Sequence, residues 1–347
     1  MQYRRLGRSD LEVSLICLGS MTWGIQNTQD EGFEQMDLAF GEGVNFIDTA
    51  EMYPVAPKAE TYGRTEEIVG NWMAARGNRD KVIVATKIVG PGDKRFSYIR
   101  NGETRFNAKH IANAVDTSLK RLKTDYIDLY QLHWPDRATN DFSALAYKHE
   151  DGAAETPIDE TLEALDAVVK AGKVRWIGLS NENPWGVMRF LQEAEKGKGP
   201  RVVSVQNPYS FLNRSFETRL AEVALREAVG LLAYAPLAAG TLTGKYLNGQ
   251  WPAGARRTLW PDNRRYQGAQ ADKATAAYVN LAKDLGLDPA ELALAFVLRQ
   301  PFLGAAIIGA TSLAQLKTNL GAAQVALSDD AVQALEDIHK VFTYPCP

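Results

Sequence analysis

The sequence predicts an α/β fold of the (β/α)8 TIM-barrel class, with an N-terminal β-hairpin and long loops at the C-terminal face. Three observations carry that prediction. Eight apolar strand-like runs recur along the chain, segments of helical period lie between them, and the longest loops all leave the same ends of the strands. The chain has 347 residues. Barrels of this class hold about 250 residues or more as one unit, so residues 1–347 are read as a single barrel domain.

The elements follow in order. YRRL and LEVS flank GRSD, which reads as a small hairpin closing the barrel bottom. The strand runs are LICLG (15–19), VNFID (44–48), VIVATK (82–87), YIDLYQLH (126–133), VRWIGLS (174–180), VVSVQN (202–207), LLAYA (231–235) and AAIIGA (305–310). Several are almost continuously apolar, as parallel strands covered on both faces require. Helical period fills the gaps. Asn107 is a plausible N-cap for Ile111, Val115, Leu119 and Leu122, which repeat on one face. Leu162, Leu165 and Val169 repeat the pattern until Gly172 stops it. Thr311 or Ser312 caps a helix whose Leu313, Leu316 and Leu320 should face inward. The competing architecture is a doubly wound open sheet, but no strand-turn-helix carries G-x-G-x-x-G. Residues 53–64, 134–159 and 236–269 exceed ordinary loop length, and all follow strands on the face where barrel active sites form.

Composition removes several classes of function. Hydrophobic residues make up 45%, charged residues 23%, and the net charge is −3, so no nucleic-acid or membrane partner is expected. The longest apolar runs, such as LLAYAPLAA (231–239), are about half of what a membrane span needs. No apolar segment follows the basic N-terminus, so no signal peptide is expected and the cytoplasm is the default location. Cys17 and Cys346 stand alone, and nothing argues for a disulfide between them. The four histidines are scattered and no cluster has zinc spacing, so no metal is expected.

Three successive strands end on ionisable residues, Asp48, Lys87 and His133, and Tyr53 lies in the loop after the first. Each has a dull explanation alone: a turn cap, a packed loop, a solvated strand end, a core histidine. Together they meet at one barrel mouth, because neighbouring strands lie about 5 Å apart. The set suits proton transfer to a developing alkoxide. A phenol of pKa about 10 is a poor acid at neutral pH. An ammonium beside it lowers that pKa, a carboxylate keeps the ammonium charged and aimed, and a histidine orients the substrate oxygen. With no metal in sight, hydride from a nicotinamide is the natural electron source. The sequence assigns no role to Glu51.

At these residues a resemblance emerges. DTAEMY (48–53), ATK (85–87), DLYQLHWPD (128–136) and IGLSN (177–181) resemble the aldo-keto reductase superfamily, and the likeness runs from RRLGRSDLEVSLICLGSMTWG to GATSLAQLKTN. AEMYPV, GNWMA, QNPYSFLNRSFE and AYVNLAKDLGLDPAELALAFVLRQPF resemble its bacterial Tas-type, NADP(H)-dependent subgroup. The resemblance implies NADPH-dependent reduction of aldehydes and ketones. Tyr53 would be the general acid/base, Lys87 and Asp48 its tuning pair, and His133 the substrate-orienting residue.

The second half must hold the dinucleotide. In IIGATSLAQLKTN a strand ends, a glycine allows close approach and a helix opens, which suits a phosphate. Gln315 and Asn319 share one helix face and could bond an adenine edge. Lys245, Arg256, Arg257, Arg264 and Arg265 are opposed only by Asp262, which suggests an anionic ligand, although a solvated basic loop would read the same way. GTLTGKY (240–246) fails the P-loop pattern in both spacing and final residue. The resemblance further implies nicotinamide contacts from Ser180, Asn181, Gln206 and Tyr234, and pyrophosphate contacts from Pro236, Leu237, Gly240 and Lys245. It implies a 2′-phosphate contact from Arg256 or its neighbour Arg257, and adenosine contacts from Gly309, Thr311, Gln315 and Asn319. Departures from the pattern are Tyr-Ala-Pro-Leu at 234–237, Ile-Ile-Gly at 307–309 and Thr318 in place of an acid.

Trp23 and Trp134 are expected to line the mouth, favouring planar or apolar carbonyl compounds as the small-molecule partner. Two other readings compete. Potassium-channel β subunits share the resemblance and act largely as binding partners. A Schiff-base lyase would use Lys87, but Asp48 beside it would keep the amine protonated.

Overall fold

The computed structural model describes residues 1–140, 146–150, 152, 155–262 and 264–346. An antiparallel hairpin, β1 (Tyr3–Arg5) and β2 (Glu12–Ser14), comes first. Eight parallel strands then close into a barrel in chain order: β3 (Ile16–Gly19), β4 (Phe46–Asp48), β5 (Ile83–Ile88), β6 (Ile127–Leu132), β7 (Val174–Ser180), β8 (Val202–Pro208), β9 (Gly230–Tyr234) and β10 (Leu303–Ile308). β10 pairs back onto β3 and completes the ring. Helices α1 (Gln29–Gly41), α2 (Arg64–Arg76), α3 (Ala108–Leu122), α4 (Ile158–Lys170), α5 (Pro184–Glu195) and α6 (Ser215–Glu227) each follow one strand. The short α7 (Arg256–Leu259) with α8 (Ala269–Asp284) and α9 (Pro289–Leu298) separates β9 from β10, and α10 (Leu313–Gly321) and α11 (Asp329–Val341) end the chain.

Local chemistry explains most boundaries. Asn107 accepts from the His110 amide and caps α3, whose Ile111, Val115 and Leu122 are buried. In α4 the buried residues are Leu162, Leu165 and Val168, with Val169 only half-buried, and Gly172 follows at φ +73°. Ser312 caps α10, with Leu316 and Leu320 buried and Leu313 half-buried. Some strands are shorter than their apolar runs. β4 opens at Phe46 rather than Val44, because Asn45 turns its side chain to the hairpin, accepting from the Ser14 amide and donating to the Glu12 carbonyl. β9 stops at Tyr234 because Ala235 takes a left-handed φ of +52°.

The barrel interior is plugged from below by the hairpin. Leu6, Leu11 and Val13 pack on Cys17, Phe46, Ala85, Leu129, Val203 and Leu232. Leu6 is fully buried. Leu6→Ala should therefore destabilise the fold by about 2–5 kcal/mol. A thermal melt checks this, and turnover per folded molecule should hold, since the plug lies at the end of the barrel opposite Asp48, Lys87 and His133. The two cysteines are both buried and unpaired. Among the described residues no helix is long and apolar enough to cross a membrane.

Candidate active site

The C-terminal ends of the strands surround a cleft of about 1740 Å³. Its floor is an ion pair. Asp48 ends β4 opposite Ala85 of β5, and Lys87, two residues further along β5, shares the face of Ala85, so its side chain reaches back to Asp48. Lys87 is completely buried, with Nζ donating to Asp48 Oδ2 at 2.6 Å and to the Thr49 carbonyl at 2.7 Å. Asp48 Oδ1 accepts from Gln206 Nε2 at 2.8 Å and from Gln131 Nε2 at 3.2 Å. Burial alone would pull the lysine pKa down, but Asp48 and Tyr53 more than offset it, and the ammonium stands above its ordinary range. Lys87 is thus a fixed cation behind the cleft wall.

Tyr53 is half-buried and faces the cleft, with Lys87 Nζ 4.9 Å from its ring centroid. Burial raises its phenol pKa, with Asp48 adding to the rise, while Lys87 pulls it back down. Lys87 is the largest force against burial here. His133 follows β6 directly and meets the Tyr53 ring edge-on at 5.7 Å. Burial and the Lys87 charge push its pKa well below the ordinary imidazole value, so the ring is neutral at pH 7. Its buried Nδ1 has no partner among the described residues. Trp134 lines the cleft beside His133 and donates from its indole to the Pro91 carbonyl at 2.9 Å.

The wider half of the cleft collects the other expected residues. Ser180 Oγ donates to the Gln206 carbonyl. Asn181, at φ +52°, donates to the His133 carbonyl at 2.8 Å and accepts from the Tyr234 hydroxyl at 2.7 Å. Gln206 lines the cleft but directs its amide nitrogen to Asp48 and Gln131, so it also braces the floor. Pro236, Leu237, Gly240 and Lys245 line the cleft, as do Gly309, Thr311, Gln315 and Asn319. Gly240 needs to be glycine: its φ is +85°, and a Cβ would meet the Lys245 ammonium end at 2.9 Å. Gln315 folds back to accept from the Thr311 amide and hydroxyl, while Asn319 is nearly buried and donates to Gly309.

Several cations stand in this half of the cleft. Arg256 and Lys245 have no carboxylate partner among the described residues, and burial lowers both pKa values. Among the described residues Arg256 donates to the Met21 sulfur, and its buried Nε has no partner. Arg257 differs, since its guanidinium donates to the Tyr266 carbonyl and lies over the Tyr246 ring. Arg265 donates to the Tyr234 hydroxyl. Arg264 is exposed on the rim.

One expectation is corrected. Trp23 does not line the mouth. It is completely buried, donates from its indole to Gln35 Oε1 and packs against Gly32 of α1. Met21, Thr22 and Ile25 line the cleft in its place. The loop of residues 89–107 was also missed as a fourth long connection, although Pro91, Gly92, Asn101 and Gly102 mark it as turn-rich. It contributes Arg95 and Phe96 to the cleft. Of the 134–159 insertion, residues 141–145, 151, 153 and 154 lie outside the described residues.

Comparison with known proteins adds three findings. The family model described as Aldo/keto reductase family matches residues 15–340. Protein tas of Escherichia coli (strain K12) is 52% identical over 347 residues, covering 100% of both chains. The uncharacterized oxidoreductase YrpG of Bacillus subtilis (strain 168) is 35% identical, covering 97% of this chain and 96% of its own, and a probable voltage-gated potassium channel subunit beta of Arabidopsis thaliana is 30% identical, covering 94% and 92%.

Proposed function

Because the chain belongs to the aldo/keto reductase family and is an oxidoreductase, we propose that it reduces aldehydes and ketones to alcohols with NADPH, using Tyr53 as the proton donor. The observation that carries this reading is the phenol of Tyr53 at the floor of an open cleft, backed by the fully buried Lys87–Asp48 pair. When bound, NADPH supplies hydride to the carbonyl carbon. Tyr53 gives its proton to the oxygen on which charge develops. Lys87 stabilises the phenolate left behind, and Asp48 keeps Lys87 charged and aimed. His133, neutral, donates to the same substrate oxygen and fixes its direction. Trp134 and Phe96 give that end of the cleft an apolar wall.

The residues present fit the dinucleotide. Among the described residues Arg256 and Lys245 have no carboxylate partner; both line the same cleft as Tyr53, and an anionic ligand would satisfy both. Arg256 rather than Arg257 is favoured for the 2′-phosphate, because Arg257 is already engaged by Tyr266. Arg256→Ala is expected to weaken NADPH binding about tenfold or more and NADH binding much less, the loss of one charge-assisted contact. Titration by nicotinamide fluorescence checks this, and equal losses for both cofactors would move Arg256 to the pyrophosphate. Two buried, unpaired cysteines suit a reducing cytoplasm as its location.

The decisive experiment is a panel of aldehydes and ketones with NADPH and with NADH, following loss of nicotinamide absorbance. Tight NADPH binding without turnover on any member would favour a cofactor-binding role, the reading suggested by the likeness to a channel β subunit. The Schiff-base lyase has little support. Lys87 is buried, protonated and bonded to Asp48 and Thr49, so it offers no free amine.

A further inference from the structure

We propose that Glu51 and Arg100 act together as the positioning residues that set Tyr53 over Lys87 and hold the facing wall of the cleft. The inference rests on the reading of Tyr53 as the acid, and begins with how the chain leaves β4. Beyond Asp48 the segment keeps pairing with β5: the Thr49 amide donates to the Ala85 carbonyl at 2.9 Å, and the Glu51 amide to the Lys87 carbonyl at 3.1 Å. The next rung is made by a side chain. Glu51 Oε1 accepts from the Val89 amide at 2.7 Å, and the chain then turns, with the Tyr53 amide donating to Ala50. Glu51 is therefore the last fixed point before the phenol, two residues away.

The carboxylate is completely buried and saturated. Arg100 grips both oxygens, at 2.7 and 2.8 Å, and the Tyr62 hydroxyl donates to Oε2 at 3.2 Å. Such a planar two-point grip fixes direction as well as distance. Arg100 comes from the loop of residues 89–107, and its own backbone is held at φ +46°, followed by Asn101 at +55°, a region that L residues avoid. Four residues before it, Phe96 forms the cleft wall against Trp134, with ring centroids 5.7 Å apart. One ion pair thus joins the loop that carries the acid to the loop that carries the wall. Buried ion pairs are poor devices for stability alone, since apolar pairs of the same size serve as well. They are well suited to fixing one geometry. A second buried pair, Glu66 with Arg121, ties Thr86 of β5 to α3; Arg121 lies over the Tyr62 ring at 5.0 Å but, among the described residues, makes no hydrogen bond to either loop.

Two variants test this. Arg100→Lys keeps the charge and loses the two-point grip; Glu51→Gln keeps an acceptor for Val89 and loses the charge. Each should lower kcat about tenfold or more, the scale expected when a reacting group is misplaced by a fraction of an ångström to an ångström. NADPH affinity should stay within about twofold, because neither Glu51 nor Arg100 lines the cleft. The second readout needs no turnover. The Tyr53 phenol is titrated by phenolate absorbance, as the difference between each protein and its Tyr53→Phe counterpart. Its pKa should rise in both variants as the phenol drifts from Lys87. A lower melting temperature with kcat within twofold and an unmoved phenol titration would leave the pair a structural bond only, and overturn the proposal. Should Glu51→Gln fail to fold, Arg100→Lys decides. If the unvaried protein reduces no carbonyl, the reductase reading falls, and the phenol titration alone decides whether the clamp positions Tyr53.

Discussion

Tyr53→Phe is expected to slow carbonyl reduction by about 10²–10⁴-fold, the usual contribution of a positioned general acid, while NADPH binding stays within about twofold. The size follows from the lack of a substitute at the floor of the cleft. Lys87 is fully buried and already donates to Asp48 and Thr49. His133 is neutral, because burial and the Lys87 charge hold its pKa well below the ordinary value, and giving up its remaining N–H would leave an imidazolate. Neither can deliver a proton in place of the phenol. The sign of the pH dependence follows as well. Reduction needs the phenol protonated, and burial raises its pKa despite Lys87. The rate should hold through neutral pH and fall only on the alkaline side, with no break near pH 6.5 from His133. Steady-state rates across pH, beside cofactor binding by fluorescence, check both parts. A phenylalanine variant that retains full turnover would remove Tyr53 from the chemistry.

Why these residues were legible in the sequence, and others were not, is a matter of range. Asp48, Lys87 and His133 each end an apolar run, and parallel strands bring their ends to one mouth, so their meeting follows from local pattern and fold class. The observed strands begin and end within two residues of the apolar runs, because burial on both faces leaves a continuous apolar signature. Trp23 was misread because a position just past a strand does not say which way the side chain turns, and here it turns to Gln35 in α1. Gln131 left a trace that went unused: an amide inside the strand run YIDLYQLH, where a core residue would be apolar. The Glu51–Arg100 pair left none. Its partners are 49 residues apart in loops, and nothing in a single sequence couples two loop positions. Gln206 was found through resemblance as a cofactor contact, yet its hydrogen bond to Asp48 is a tertiary fact that local pattern does not encode.

Lys87→Met should be nearly as damaging as loss of the phenol, with a kcat decrease of about 10²-fold or more, but its pH profile should distinguish the two. Methionine fills most of the lysine volume, so the barrel interior stays packed. What is lost is charge: the ammonium 2.6 Å from Asp48 and 4.9 Å from the Tyr53 ring centroid. Asp48 keeps the Gln206 and Gln131 amides but becomes an unbalanced buried carboxylate, at a cost of about 3–5 kcal/mol. The phenol then feels burial and Asp48, both of which raise its pKa, without the cation that opposed them. Each unit of that rise is worth about 1.4 kcal/mol against phenolate formation. The alkaline limb of the rate profile should therefore move to higher pH while kcat falls. Loss of packing alone would lower kcat without moving the limb upward. Adding Asp48→Asn removes the orphaned charge, so the melting temperature should recover in the double variant, and the phenol pKa should come partly back down. Turnover should not recover, since no cation remains to stabilise the phenolate. Unchanged kcat at neutral pH in Lys87→Met, or a limb that moves toward lower pH, would show that Lys87 does not tune Tyr53.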